Sequence, residues 1–179
     1  MKSRRLQPFS AAARTATLLP LALFVGLLAG CHHAARVGKR APDFSVRTLN
    51  GRIRTLASYH GRVLILNFWA TWCPPCIAEI PSLNRLHALI HGQPVSLLAI
   101  SIDKDPAAYR KFLKDWKIGF ATARDPSEAI MHRYGTRKIP ETYIIGPNGQ
   151  VRRKIVSASN WTDPEMVRYL TDLAHGNMD

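Results

Sequence analysis

The apolar positions of this chain change period along its length, and each change marks an element. Residues 44–49 (FSVRTL) and 52–56 (RIRTL) alternate around Asn50-Gly51, the signature of a hairpin with a tight primed turn. Val63 to Trp69 (VLILNFW), apolar except at Asn67, has the pattern of a strand buried on both faces. From Pro75 onward Ile77, Ile80, Leu83, Leu86, Leu89 and Ile90 recur at helical spacing. A second buried strand is predicted over Val95 to Asp103, then a helix from Pro106 to Trp116 with Tyr109, Phe112, Leu113 and Trp116 on one face. Phe120 to Thr122 reads as a short strand and Pro126 to Tyr134 as a short helix. Thr142 to Ile145 and Gln150 to Val156 flank the turn sequence Gly146-Pro147-Asn148-Gly149, and a last helix is predicted from Asp163 to Ala174. Strands alternating with helices, then a hairpin and a closing helix, predict an α/β sandwich: a mixed central sheet, helices on both faces and an extra N-terminal β-hairpin.

The first thirty residues follow a different rule. Lys2, Arg4, Arg5 and Arg14 form a basic leader without an acid. Leu18 to Ala29 is an apolar run broken by Pro20 and Gly26, too short for a membrane span and shaped like a secretory signal. It ends in Leu27-Leu28-Ala29-Gly30-Cys31, which resembles the lipobox of bacterial lipoproteins, where the cysteine is lipidated and becomes the first mature residue. The expected organisation is a lipoprotein signal over residues 1–30, a small, basic, flexible tether over 31–40 and one domain over 41–176. Such a chain is exported and held by its lipid on a bacterial membrane, facing the periplasm or the outer cell surface.

Composition narrows the chemistry. A chain of 179 residues builds a core that needs no disulfide staples, so a cysteine pair here points to chemistry. With lipid on Cys31, Cys73 and Cys76 remain as that pair. The formal charge of +13 suits anionic lipid or acidic partners, without a run dense enough to name a patch, and nucleic acid is a poor partner for an exported chain. His32 and His33 are adjacent and lack the spacing of a closed metal site, so no metal is expected.

Cys73 and Cys76 directly follow a buried strand and open a helix. A thiol at a helix N-terminus meets free N–H groups and the positive end of the helix dipole, both of which favour thiolate. Cys73, in an exposed cap-like position, is therefore the expected nucleophile, and Cys76, a turn inside, the resolving thiol. Pro74 and Pro75 fill the first helical positions, where a missing N–H costs little, although Pro75 disfavours helical ψ at Pro74 and predicts a regular helix from Pro75. The two prolines also withhold donors from Cys73, leaving the N–H of Cys76 as its nearest backbone partner. A zinc site lacks a second ligand pair, haem attachment lacks a histidine at Ile77, and a static bond closing so short a loop constrains the unfolded chain little.

The order strand, Trp72-Cys73-x-x-Cys76, helix with Pro81, and later Ile139-Pro140 resembles the thioredoxin superfamily. More narrowly, PDFSVRTLNG (42–51), LNFWATWCPPCIAEIP (66–81) and YGTRKIPETYIIGPNGQV (134–151) resemble its TlpA/ResA/CcmG branch of membrane-anchored extracytoplasmic thioredoxins. The resemblance implies a thioredoxin-like fold with Pro140 as a cis-proline lining the substrate groove. Ile139 would offer its backbone to an extended substrate, and Trp72 would flank the nucleophile as an apolar surface. Glu79, three residues after Cys76 on the same helix face, stands where ResA-like members carry a glutamate; with a raised pKa it is suited to take the Cys76 proton. Asn67 stands where thioredoxin has a buried aspartate. That departure removes the usual internal acid/base and leaves an amide to be satisfied by hydrogen bonds inside the sheet.

The expected function is a lipid-anchored thiol:disulfide oxidoreductase that reduces disulfides of extracytoplasmic proteins through a Cys73/Cys76 cycle, with no cofactor beyond that redox-active disulfide. The resemblance implies a membrane electron donor for re-reduction and, for some members, cytochrome c apoprotein as substrate; the chain is expected to be a monomer. Two other readings compete. A peroxidase shares the PDF-type opening, but a threonine is expected there three residues before the reactive cysteine, where Ala70 stands. A copper-delivery relative has three residues between its cysteines and a matching histidine, neither of which is found here.

Overall fold

The computed structural model of the chain describes residues 34–177; the signal expected over residues 1–30 and the lipidation expected at Cys31 lie outside the described residues. In chain order the elements are β1 (Ser45–Arg47), β2 (Ile53–Thr55), a 3-10 turn (Leu56–Tyr59), β3 (Val63–Trp69), α1 (Pro74–Leu89), β4 (Val95–Ser101), α2 (Pro106–Asp115), β5 (Ala121–Arg124), α3 (Ala129–Tyr134), β6 (Glu141–Ile145), β7 (Val151–Val156) and α4 (Pro164–Ala174). Every residue of β3 is buried, the polar Asn67 included. β4 pairs parallel to it from Val63 against Val95 to Trp69 against Ser101, and β5 pairs parallel to β4. β6 and β7 run antiparallel, giving the mixed order β5-β4-β3-β6-β7, with β1 and β2 as a separate two-stranded sheet.

Successive side chains of a strand leave opposite faces of the sheet. Asn67 reaches α1 on one face, while Phe68 packs on Tyr134 of α3 on the other with ring centroids 5.6 Å apart, so helices cover both. Leu64, Ile65, Leu66 and Phe68 are wholly buried. Each contributes roughly 1.5–3 kcal/mol relative to an exposed position.

Three local expectations are corrected. The hairpin pairs as expected, from Ser45 against Thr55 to Arg47 against Ile53, but its turn holds three residues. Thr48 N–H donates to Arg52 O and Gly51 N–H to Thr48 O, both at 2.9 Å, and Gly51 has φ 81° while Asn50 stays at negative φ. Either primed turn needs positive φ at its first central residue, here Asn50; instead Leu49 N–H donates to Thr122 O at 3.0 Å, tying the loop to β5. α3 opens later than its pattern, because Glu128 is left-handed (φ 60°) and the Asp125 carboxylate folds the chain back to accept from Ile130 N–H at 2.8 Å. α1 begins at Pro74, one residue earlier than the preference of residues before proline suggests.

The described end of the segment read as a flexible tether lies against the domain. Ala35 N–H donates to Tyr134 O at 3.1 Å, Gly38 N–H to Val151 O at 2.8 Å, and Val151 N–H to Lys39 O at 2.9 Å. These are backbone contacts, invisible to a reading of side-chain periodicity. Tyr134, wholly buried, adds a hydrogen bond from its hydroxyl to Pro42 O at 2.8 Å. Gly135 lets this N-terminal segment approach: it has φ 77°, and a Cβ there would stand 2.8 Å from that of Ala34. Gly135→Ala is expected to lower stability by about 1–2 kcal/mol in urea unfolding. Faster hydrogen exchange of the Ala35 amide would accompany the loss.

Candidate active site

β3 delivers the chain to the site and three hydroxyl and amide contacts hold it there. After Trp69, Thr71 donates its N–H at 3.0 Å and its hydroxyl at 2.5 Å to the buried carboxylate of Asp103, which also accepts from Ser101 Oγ at 2.5 Å. The strand-to-helix turn is thus fixed to the end of β4. Cys73 follows as the N-cap of α1, and its Sγ accepts from Cys76 N–H at 3.3 Å, the one backbone donor that Pro74 and Pro75 leave. Cys73 and Cys76 are joined as a disulfide with Cα atoms 5.2 Å apart.

The Ile139–Pro140 peptide bond is cis, and Ile139 O lies 3.7 Å from Cys73 Sγ. This loop corrects the expectation that Cys73 is exposed: the residue is only 4% accessible, whereas Trp72 beside it is 62% accessible. A helix N-terminus alone suggests an open sulfur; the loop from a segment more than sixty residues on closes over it.

Glu79 is 2% accessible and sits in a cage of donors. Its Oε1 accepts from Asn67 Nδ2 at 2.8 Å, and its Oε2 from Trp161 Nε1 at 3.2 Å and Ser159 N–H at 3.3 Å. Asn67 Nδ2 also donates to Thr142 Oγ1 at 2.9 Å, so its NH2 group bridges α1 and β6. Burial pushes the Glu79 carboxyl above its ordinary range, against the hydrogen bonds from Trp161, Asn67 and Ser159, which favour the charged form. Ser82 braces the cage, donating to Glu79 O at 2.8 Å and accepting from Trp161 N–H at 3.3 Å.

A further buried carboxylate was not anticipated. Glu141, next to Pro140, accepts from Thr136 Oγ1 and, at 2.6 Å, from Tyr143 OH, and pairs with Lys154 Nζ at 3.1 Å. Burial alone lowers the proton affinity of Lys154, but hydrogen bonds to Glu141 and Tyr143 outweigh it and hold the ammonium above its ordinary range. Asp103, Ser159, Trp161, Thr142 and Glu141 all escaped sequence reading. The one available signal was position: Asp103 lies just past the carboxyl end of a parallel strand, where α/β sites are built.

A mixed five-stranded sheet that feeds a helix-capping cysteine, bonded to a second cysteine one turn on and faced by a cis-proline loop, defines a thioredoxin-like dithiol protein. A sequence profile of the AhpC/TSA family matches residues 37–154. The thiol-disulfide oxidoreductase ResA of Geobacillus thermodenitrificans (strain NG80-2) is 34% identical over 130 residues, 73% of this chain and 75% of its own. The crystal structure of a thiol:disulfide interchange protein of the thioredoxin family from Chlorobium tepidum TLS superposes with a TM-score of 0.66 at 26% identity, covering 78% of this chain and 99% of that one. A secreted Mycobacterium tuberculosis disulfide oxidoreductase homologous to E. coli DsbE gives 0.60 at 25% identity, covering 74% and 95%. The chain belongs to the AhpC/TSA family and, within it, to the ResA-type thiol-disulfide oxidoreductases.

The Glu79 cage has a measurable signature. Its carboxyl holds a proton more tightly folded than unfolded, so folded stability falls as pH rises from the ordinary carboxyl value of 4.5 through the raised one. Glu79→Gln removes that slope, and the cost of a Gln amide facing donors is a constant offset. Urea unfolding of the oxidised proteins between about pH 4 and 8 is expected to shift in the variant's favour as pH rises; parallel curves would show that Glu79 does not titrate with a raised pKa.

Proposed function

We propose that the protein reduces disulfides of extracytoplasmic proteins while held to a bacterial membrane by a lipid on Cys31, using the Cys73/Cys76 pair and no further cofactor. The observation that carries this reading is the Cys73 sulfur capping α1 at 3.3 Å from Cys76 N–H and facing Ile139 O at 3.7 Å. An extended substrate laid along Ile139 and against exposed Trp72 brings its disulfide to that sulfur. The Cys73 thiolate attacks one substrate sulfur; a mixed disulfide forms, and the other substrate sulfur leaves as thiolate and takes a proton. Cys76 then gives up its proton and attacks Cys73 Sγ. The substrate departs as a dithiol with two electrons gained, and the Cys73–Cys76 bond carries the oxidation.

Glu79 receives the Cys76 proton in this scheme. Burial raises its proton affinity against the three donors that hold the carboxylate, so the group can take up a proton as Cys76 loses one. A membrane dithiol donor restores the pair by the reverse exchange. The substrates are disulfide-bearing proteins, cytochrome c apoprotein among those the family resemblance suggests, met by a monomer. The reducing direction is supported by Pro74 and Pro75, which leave Cys73 one backbone donor: strong oxidants owe their potential to a stabilised reduced form.

Cys73→Ala is expected to abolish exchange with a peptide disulfide, and Cys76→Ala to accumulate a mixed disulfide visible by mass spectrometry. Equal activity of the Cys73 variant sinks the mechanism. Equilibration with glutathione is expected to place the pair near about −270 mV rather than about −120 mV. Rapid peroxide consumption would instead favour the peroxidase reading.

A further inference from the structure

The segment that carries Ile139 is a strap pinned at both ends to one buried acid. Thr136 at its start donates to Glu141 at its end, and Tyr143 and Lys154 hold the same carboxylate from β6 and β7. Between those ends, Arg137 and Lys138 are exposed, and among the described residues neither makes a hydrogen bond or an ion pair. The strap contains no acid of its own to neutralise them, since Glu141 is buried and matched by Lys154. The two cations immediately precede Ile139, whose carbonyl lies 3.7 Å from Cys73 Sγ. Whatever brings a sulfur to Cys73 along this strap passes beside both charges.

We infer that Arg137 and Lys138 select the partner by charge: the polypeptide whose disulfide is exchanged carries acidic side chains next to its reacting cysteine. The inference rests on the oxidoreductase reading and adds the substrate's chemistry. The backbone bearing the cations is already fixed, so an acidic segment meets a charged surface that needs no reordering of the strap. Exposed charges at the edge of a contact act mainly on encounter rate and on rejection of like-charged partners, and salt screens them. An anionic lipid surface seated on the same two cations would occlude Cys73, so the occupant consistent with turnover is the substrate chain itself.

Two synthetic peptide disulfides, identical except for Asp or Lys on either side of one cysteine, test the inference with the reduced protein in stopped flow. Each rate is divided by that of the same protein with hydroxyethyl disulfide, a small neutral substrate, so that changes in Cys73 itself cancel. At low ionic strength the wild type is expected to favour the Asp peptide by about tenfold, and salt to erode the preference. Arg137→Glu/Lys138→Glu is expected to invert the ratio, and Arg137→Gln/Lys138→Gln to bring it close to one. The same ratio in the wild type and the charge-reversed protein, with hydroxyethyl disulfide still exchanged, overturns charge selection and leaves the oxidoreductase reading standing. Failure of the wild type to exchange any disulfide overturns both.

Discussion

One amide organises this domain. β3 lies at the middle of the sheet with apolar side chains on both faces, and Asn67 is the sole polar interruption in it. An unpaired amide there costs a substantial fraction of the net stability of a small domain. Its Nδ2 is met by Glu79 of α1 and Thr142 of β6, which means that sheet and helix are locked in one register before the cysteines are reached. The helix so placed starts after a four-residue turn from the end of β3, and Cys73 becomes its cap.

Two of the buried carboxylates, Glu79 and Glu141, differ in what answers them. Glu141 faces an ammonium, an arrangement suited to a fixed staple: it ties Thr136 to the residue after Pro140 and so holds the strap over Cys73. Glu79 is answered by neutral donors alone. Without a cation, desolvation prevails and its proton affinity rises, the property a proton carrier needs. The same side-chain type thus meets an ammonium in one place and neutral donors in the other, and the second is the setting the proposed proton transfer requires.

The sheet and the dithiol were legible because their signals are local. Apolar runs of seven residues, a cysteine pair after a strand and Ile-Pro before one survive without any knowledge of packing. What failed to show was everything joined across long stretches of chain. Glu79 meets Trp161 eighty-two residues away and Asn67 meets Thr142 seventy-five away, so periodicity carries no trace of either. The accessibility of Cys73 failed for the same reason, since the covering loop is remote in sequence. The hairpin failed differently: Asn-Gly satisfies more than one turn, and a backbone bond from Leu49 to β5 decided between them.

The two prolines between the cysteines acquire a consistent meaning in this setting. They fix φ over the first helical positions and hold the sulfurs within bonding reach, yet they contribute no N–H to Cys73. The cap sulfur therefore draws on the helix dipole and on a single amide at 3.3 Å. A thiolate supported so lightly is more basic than one ringed by donors, and nucleophilicity toward disulfides rises with that basicity. The resolving step needs the opposite provision, removal of a proton from a buried thiol, and Glu79 lies one turn further along the same helix. In the proposed cycle a lightly supported first sulfur and a carboxyl of raised proton affinity one turn past the second are complementary halves of one arrangement, and β3 with Asn67 fixes the helix that carries both.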